Sequence, residues 1–104
     1  MFTNKTQLEE AIDLWISNET NATNIYGDIN DWNVSAINDF SELFKDKTTF
    51  NSDISGWDVS NGTSFESMFE GATSFNQNIG SWQVGSGTTF WRMFYDAESF
   101  NQDI

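Results

Sequence analysis

One spacing governs this chain: the same residues return every 25 positions, with no insertion to break the register. Ile29, Ile54, Ile79 and Ile104 share a column, and so do Trp32, Trp57 and Trp82. Val34, Val59 and Val84 follow, then Phe40, Phe65 and Phe90, then Leu43, Met68 and Met93. Phe44, Phe69 and Phe94 come next, and Phe50, Phe75 and Phe100 close the rows, each followed by Asn at 51, 76 or 101. Ile25 stands in the closing Phe column one row earlier. A unit this short cannot bury its apolar side alone, so successive rows must stack and cover one another. With 104 residues, there is material for one core and not two.

Local spacing suggests how each row folds. Ile-x-x-Trp-x-Val resembles the inward pattern of a leucine-rich-repeat strand, and Trp57 and Val59 lie two apart, as residues on one face of a strand do. Phe65, Met68, Phe69 and Ala72 are spaced as one face of a two-turn helix. Phe90, Met93, Phe94 and Ala97 repeat that spacing, and Phe40, Leu43 and Phe44 begin it. Thr63 with Glu66, and Asp39 with Glu42, have capping-box spacing, and Gly71 stands where such a helix would stop. The expected fold is therefore an α/β solenoid, leucine-rich-repeat-like, with a short parallel strand and a short helix in each 25-residue turn. Strands of adjacent rows would lie roughly 4.7–4.9 Å apart, making interior ladders of the Trp, Val and Phe columns.

The first residues break the period. Leu8, Ala11, Ile12, Trp15 and Ile16 mark an amphipathic helix over 6–17, with Thr6 and Glu9 as a capping box. Residues 1–24 are expected to be a capping helix and its connection (18–24). Residues 25–104 are then three repeats plus the start of a fourth strand.

Charge and composition narrow the function. The chain carries 16 acidic residues against 4 basic ones, a net charge of -12, so Lys5, Lys45, Lys47 and Arg92 cannot form a nucleic-acid face. An anionic membrane surface is disfavoured for the same reason. No run approaches the ~18 apolar residues of a membrane span, so direct insertion is not expected. No basic region followed by an apolar stretch opens the chain, which implies a protein made without a leader or a piece of a longer one. Histidine and cysteine are absent, which excludes His-based triads, thiol nucleophiles, imidazole or thiolate metal sites and disulfides. Disorder is not implied, because 10 Phe and 5 Trp must be buried somewhere.

The stretches FNSDISGWDVSNGTSFESMFEGATSFNQNIGSW and YGDINDWNVSAINDFSELFKDKTTFN resemble the repeat of bacterial surface lipoproteins in the BspA-like leucine-rich-repeat family, a domain of unknown function. The opening NKTQLEEAIDLWISNET is similar to the helical segment that precedes the first repeat there. The resemblance implies a cell-surface or secreted location and a role in adhesion or partner binding, with no catalytic residue and no cofactor. Departures fall after the strand. Ile37 of the first row gives way to Gly62 and Gly87, and Asp-Val-Ser softens to Gln83-Val84-Gly85, so those rows are expected to pack more loosely. No C-terminal cap is visible after Ile104, and an open end exposes sheet edge, so a fragment or an assembly is expected.

Four constellations could carry chemistry. The column Asp28, Asp53, Asn78 and Asp103, with Asn51, Asn76 and Asn101 beside it, supplies hard oxygens for calcium. Asn and Asp in such turns more commonly accept hydrogen bonds from local backbone amides, which is the favoured reading. The outward sheet face, with Asp31, Asn33, Asp58 and Gln83, could hold a sugar or polar peptide, though a solvated face is the simpler reading. Trp91, Arg92 and Tyr95 would point outward from the third helix as one patch, of the residue types enriched at binding hot spots. The alternative has that row folding irregularly, with its rings tucked over the open end. Asp58 and Asp31 could be imagined as a hydrolase pair, but an open face gives no reason to expect catalysis. Sequons at Asn4, Asn18, Asn21, Asn33 and Asn61 carry little weight if the source is bacterial, as the resemblance implies. The expected function is a non-catalytic surface repeat module that binds a protein or surface glycan. The rivals are a structural spacer or homo-oligomer formed through the open end, and a calcium-dependent module.

Overall fold

The computed structural model describes residues 1–102. Its regular elements are helical: α1, Lys5–Ser17, and α2, Glu19–Tyr26, followed by a single 3-10 turn at Ile29–Asp31. Among the described residues there is no strand, and the only sheet-like pairing is isolated parallel bridges joining Asp39 to Ser64 and Ser64 to Thr89. The chain is therefore a small helical domain whose remaining body is built of turns. The expected α/β solenoid of strand plus helix per row is wrong at both elements, and the hydrogen bonds give the reasons.

The segment expected to be a strand turns twice. Trp57 N–H donates to the Ile54 carbonyl at 3.1 Å, and Gly62 N–H to the Val59 carbonyl at 2.9 Å. Trp32, Ile37, Trp82 and Gly87 make the same bonds in the other rows. Asx turns tighten the bends: the Asp53 carboxylate accepts from Ser55 N–H at 2.9 Å, and Asp58 accepts from the Ser60 amide and hydroxyl. An Ile-x-x-Trp spacing of three is a turn spacing, and a run closed by turns at both ends leaves no ladder to propagate.

The segment expected to be a helix is a chain of overlapping turns. Leu43, Lys45 and Lys47 donate to the carbonyls of Phe40, Glu42 and Phe44, three residues back and not four. The alternate amides cross to the next row. Phe40, Glu42, Phe44 and Asp46 donate to the carbonyls of Ser64, Glu66, Met68 and Glu70 at 2.8–2.9 Å. Phe65, Ser67, Phe69 and Gly71 donate in the same way to Thr89, Trp91, Met93 and Tyr95. Two columns make this alternation possible by taking positive φ: Glu42, Ser67 and Arg92 in one, and Asp46, Gly71 and Asp96 in the other, with φ between 55° and 70°. An α-helix would spend every amide on itself and leave the rows unjoined.

Side chains of one column lie over one another. Phe40, Phe65 and Phe90 stack at centroid distances of 5.5 and 5.3 Å, and Phe44, Phe69 and Phe94 at 5.3 and 5.5 Å. Phe50, Phe75 and Phe100 repeat at 5.9 Å. Trp32 and Trp57 stack at 6.4 Å, and Trp32, Trp57 and Trp82 are all buried. Each indole is satisfied: Trp57 Nε1–H donates to the Ile29 carbonyl at 2.7 Å, and Trp82 Nε1–H to that of Ile54 at 3.1 Å. Gly62 is buried rather than loose, because a Cβ there would run into the rings of Phe65 and Phe40.

α1 closes the first end. Leu8, Ala11, Ile12 and Trp15 are buried, with Trp15 edge-on to Trp32 at 5.9 Å and its Nε1–H donating to Ser52 Oγ. The helix is capped by Asn4, whose Oδ1 accepts from Gln7 N–H at 2.9 Å, while Gln7 Oε1 accepts from Thr3. The expected Thr6–Glu9 box lies inside the first turn. The expected connection is itself the helix α2: Asn18 caps it through Asn21 N–H while its own amide closes α1 on the Leu14 carbonyl. Only Ala22 of α2 is buried, so apolar periodicity could not reveal it, and Ile25 is exposed instead of joining the Phe column. Lys5 reaches Asp39 and Ser41, and Lys47 reaches Asp13 at 2.7 Å, tying α1 to the first row. No helix among the described residues is long and apolar enough to cross a membrane.

Candidate functional site

Row three carries the exposed aromatic cluster. Trp91 is 60% and Tyr95 50% exposed, and the guanidinium of Arg92 lies over both rings, 4.5 Å from the Trp91 centroid and 4.6 Å from that of Tyr95. The turn geometry assembles it. Arg92 has a positive φ of 55°, and Tyr95 N–H donates back to the Arg92 carbonyl at 3.1 Å. Stacking on two rings holds a long side chain in place, at about 0.5–1 kcal/mol per exposed contact. Lys5, Lys45 and Lys47 each sit within ion-pair distance of a carboxylate. Among the described residues Arg92 has no such partner, so its planar fork of donors is left for a carboxylate, carbonyl or hydroxyl from outside.

The residues expected on an outward sheet face do not share a sheet, because none forms. Asp31 and Asn33 border a hollow of about 550 Å³ with Glu10, Gln7, Tyr26 and Trp32. Asp58 and Gln83 lie outside it. Asn33 and Asp58 are occupied within their own turns, accepting from Ser35 and Ser60, and Gln83 Nε2 donates to the Ser81 carbonyl at 3.4 Å. The Ser60 hydroxyl and then its amide hold the Asp58 carboxyl below its ordinary pKa. A carboxyl tied down in this way is a poor general acid.

The acid column bonds backbone. Asp28 accepts from Asn30 N–H at 3.1 Å and Asp53 from Ser55 N–H, which lowers the pKa of Asp53 through that amide and then the Ser55 hydroxyl. The neighbouring amides form their own ladder: Asn76 N–H donates to Asn51 Oδ1 at 2.8 Å and Asn101 N–H to Asn76 Oδ1 at 2.9 Å. Asp103 lies outside the described residues. Among those described, no three acidic side chains come together in a group able to hold a metal ion.

The last described row leaves ladder residues uncovered. Trp82, Val84, Phe90, Met93 and Phe94 line an apolar hollow of about 420 Å³, and Phe90 is 42% exposed where Phe40 and Phe65 above it are fully covered. The column pattern itself was the available signal, since the last described row must leave one ring face open. No curated protein and no solved structure matches the chain. A profile described as "Mycoplasma protein of unknown function, DUF285" matches residues 16–104, which takes in the last residues of α1, all of α2 and every row. The chain belongs to the DUF285 family.

Proposed function

We propose that the chain is a non-catalytic bacterial cell-surface repeat module, akin to the BspA-like surface lipoproteins, that binds a protein or surface glycan through Trp91, Arg92 and Tyr95. The observation that carries this reading is the Arg92 guanidinium stacked on two exposed rings with, among the described residues, no carboxylate within ion-pair distance. Large rigid rings give contact area at low entropic cost, and a preorganised guanidinium adds directed donors, the combination that dominates binding hot spots. Rings also present flat faces to sugar C–H groups. The chain carries a net charge of -12, and among the described residues Arg92 is the basic side chain outside an ion pair, so an acidic or neutral partner meets least repulsion at this patch.

A second reading, a structural spacer that associates end to end, draws on the apolar hollow at row three. Two measurements separate the readings. Adhesion of protein-coated beads to host-cell monolayers and arrayed glycans is compared for the wild type and Trp91→Glu, with thermal melts beside it. The binding reading expects adhesion to fall at least tenfold, with stability unchanged within about 0.5 kcal/mol, as for a surface substitution. Equal adhesion, or an unfolded Trp91→Glu protein, contradicts it. A mass that rises with concentration in sedimentation supports the spacer reading instead.

A further inference from the structure

Three aromatic rings meet where the capping helices join the first row, and each touches the other two. Phe2 lies 5.3 Å from Trp32 and 5.6 Å from Tyr26 between ring centroids, and Tyr26 lies 5.5 Å from Trp32. The corner is fixed from several sides. Phe2 N–H donates to the Asn33 carbonyl at 3.1 Å. Trp32 donates through Nε1–H to the Gly27 carbonyl at 2.9 Å and stacks on Trp57. Phe2 and Trp32 are buried, while Tyr26 is left 39% exposed. These rings line the hollow of about 550 Å³ between α1 and the first row, a size ordinary for small-molecule sites. Its charged side chains are of one sign. Glu10 of α1 and Asp31 of the 3-10 turn both line it, and among the described residues neither carboxylate is in an ion pair. Gln7 spends its side-chain carbonyl on Thr3, and Asn33 spends its own on Ser35. The two carboxylates are thus the strongest acceptors left to face a ligand.

We propose that this hollow binds a primary alkylammonium ion, with Glu10 and Asp31 holding the charged head and the Tyr26 ring packing on the carbon body beside it. Ionised carboxylates accept charge-assisted hydrogen bonds from an ammonium group, and the face of an aromatic ring attracts a cation. A bare metal ion is the wrong occupant. Calcium takes roughly 6–8 oxygens, and among the described residues no three acidic side chains gather to supply them. An anion would meet two unpaired carboxylates on a body of charge -12, and a neutral sugar would leave both charges uncompensated. The same field draws a cation in from solution. A free amine and a lysine side chain of a polypeptide present this one chemistry. The walls belong to α1, α2 and the first row, so the site involves no residue of row three and is independent of adhesion through Trp91.

The probes are butane-1,4-diamine, a free amine, and Nα-acetyl-lysine methylamide, a lysine side chain on a peptide backbone. Each is titrated into the intact protein while indole and amide proton shifts are followed by NMR. The Trp32 indole N–H and the Glu10 and Asp31 amides are expected to shift saturably, and the Trp82 indole to stay in place. The probe with the lower Kd identifies the source of the ammonium. Raising the ionic strength from about 0.01 M to about 0.15 M shortens the Debye length from about 30 Å to about 8 Å and should weaken binding severalfold. Glu10→Gln and Asp31→Asn replace exposed side chains outside any ion pair, so the fold should be kept, as thermal melts will check. Each should raise Kd about two- to fivefold, and Tyr26→Leu by a similar factor of about two to five. Asp58→Asn, which removes one charge outside the hollow, should leave Kd unchanged. The absence of saturation by about 10 mM of either probe, enough to fill most of a site of millimolar Kd, overturns the proposal. Equal weakening by Asp58→Asn and Glu10→Gln overturns it in favour of attraction to the whole acidic body. Equal shifts with butane-1,4-diol or glucose overturn it in favour of a neutral polyol. Trp91→Glu should leave amine binding intact, so loss of adhesion in that variant and loss of amine binding here are separate outcomes.

Discussion

Trp57 shows how one residue can serve two rows. Its ring fills the interior of its own row, while its Nε1–H donates to the Ile29 carbonyl of the row before. Asp39 does similar work at the surface. Burial pushes its carboxyl up, but hydrogen bonds from Ser41 and the charge of Lys5 outweigh this and leave its pKa below the ordinary value. The folded protein therefore holds this proton less tightly than the unfolded chain does. The stabilisation is full above the usual carboxylate range, about pH 4, and is lost as pH falls through the lowered folded value. Because Asp39 is half-exposed, the amount is under about 1 kcal/mol. The melting-temperature difference between wild type and Asp39→Asn should be flat from pH 7 to about 5 and shrink below about 4. A difference that persists to about pH 2 would show that the ion pair and its hydrogen bonds are not its source.

At the scale of the element, overlapping turns and an α-helix place the same residues on one face, and the sign of φ and the hydrogen-bond partners tell them apart. Glu42 has φ 59°, a conformation that costs a non-glycine residue roughly 1–2 kcal/mol. Glu42→Gly should therefore stabilise the protein by about 0.5–1 kcal/mol in chemical denaturation, whereas Lys45→Gly, at ordinary φ, should cost about 1 kcal/mol. In a helix both would destabilise. This is where reading the sequence reached its limit. The 25-residue period placed the Trp and Phe columns, and Leu8, Ala11, Ile12 and Trp15 showed the face of α1, because burial leaves a periodic trace. Nothing in Glu42, Ser67 or Arg92 announces positive φ, whereas the column Asp46, Gly71 and Asp96 did hold a trace of it, since glycine and aspartate tolerate that region. Asp39 and Glu42 looked like a capping box, yet the Asp39 carboxylate accepts from Ser41 two residues on. The D-x-S repeats at 53–55 and 58–60 did carry a readable signal: two turns inside what was taken for a strand. The aromatic-cation patch was legible from residue type, whereas the bonds between rows were not, because they depend on where backbone amides point.

At the scale of the whole molecule, stacked rings and ordered amides oppose a net charge of -12, and neither works without the other. Rings alone would let rows slide. The amides fix the register at 24 residues from donor to acceptor, as in Phe40 to Ser64 and Phe65 to Thr89. α1 covers row one on one side, and row three is the last described row on the other. Through-hydrogen-bond scalar couplings between amide nitrogens and carbonyl carbons report such partners directly. The account predicts couplings from Phe40, Glu42, Phe44 and Asp46 to Ser64, Glu66, Met68 and Glu70, and from Phe65, Ser67, Phe69 and Gly71 to Thr89, Trp91, Met93 and Tyr95. Couplings confined to partners four residues back within each row would contradict it.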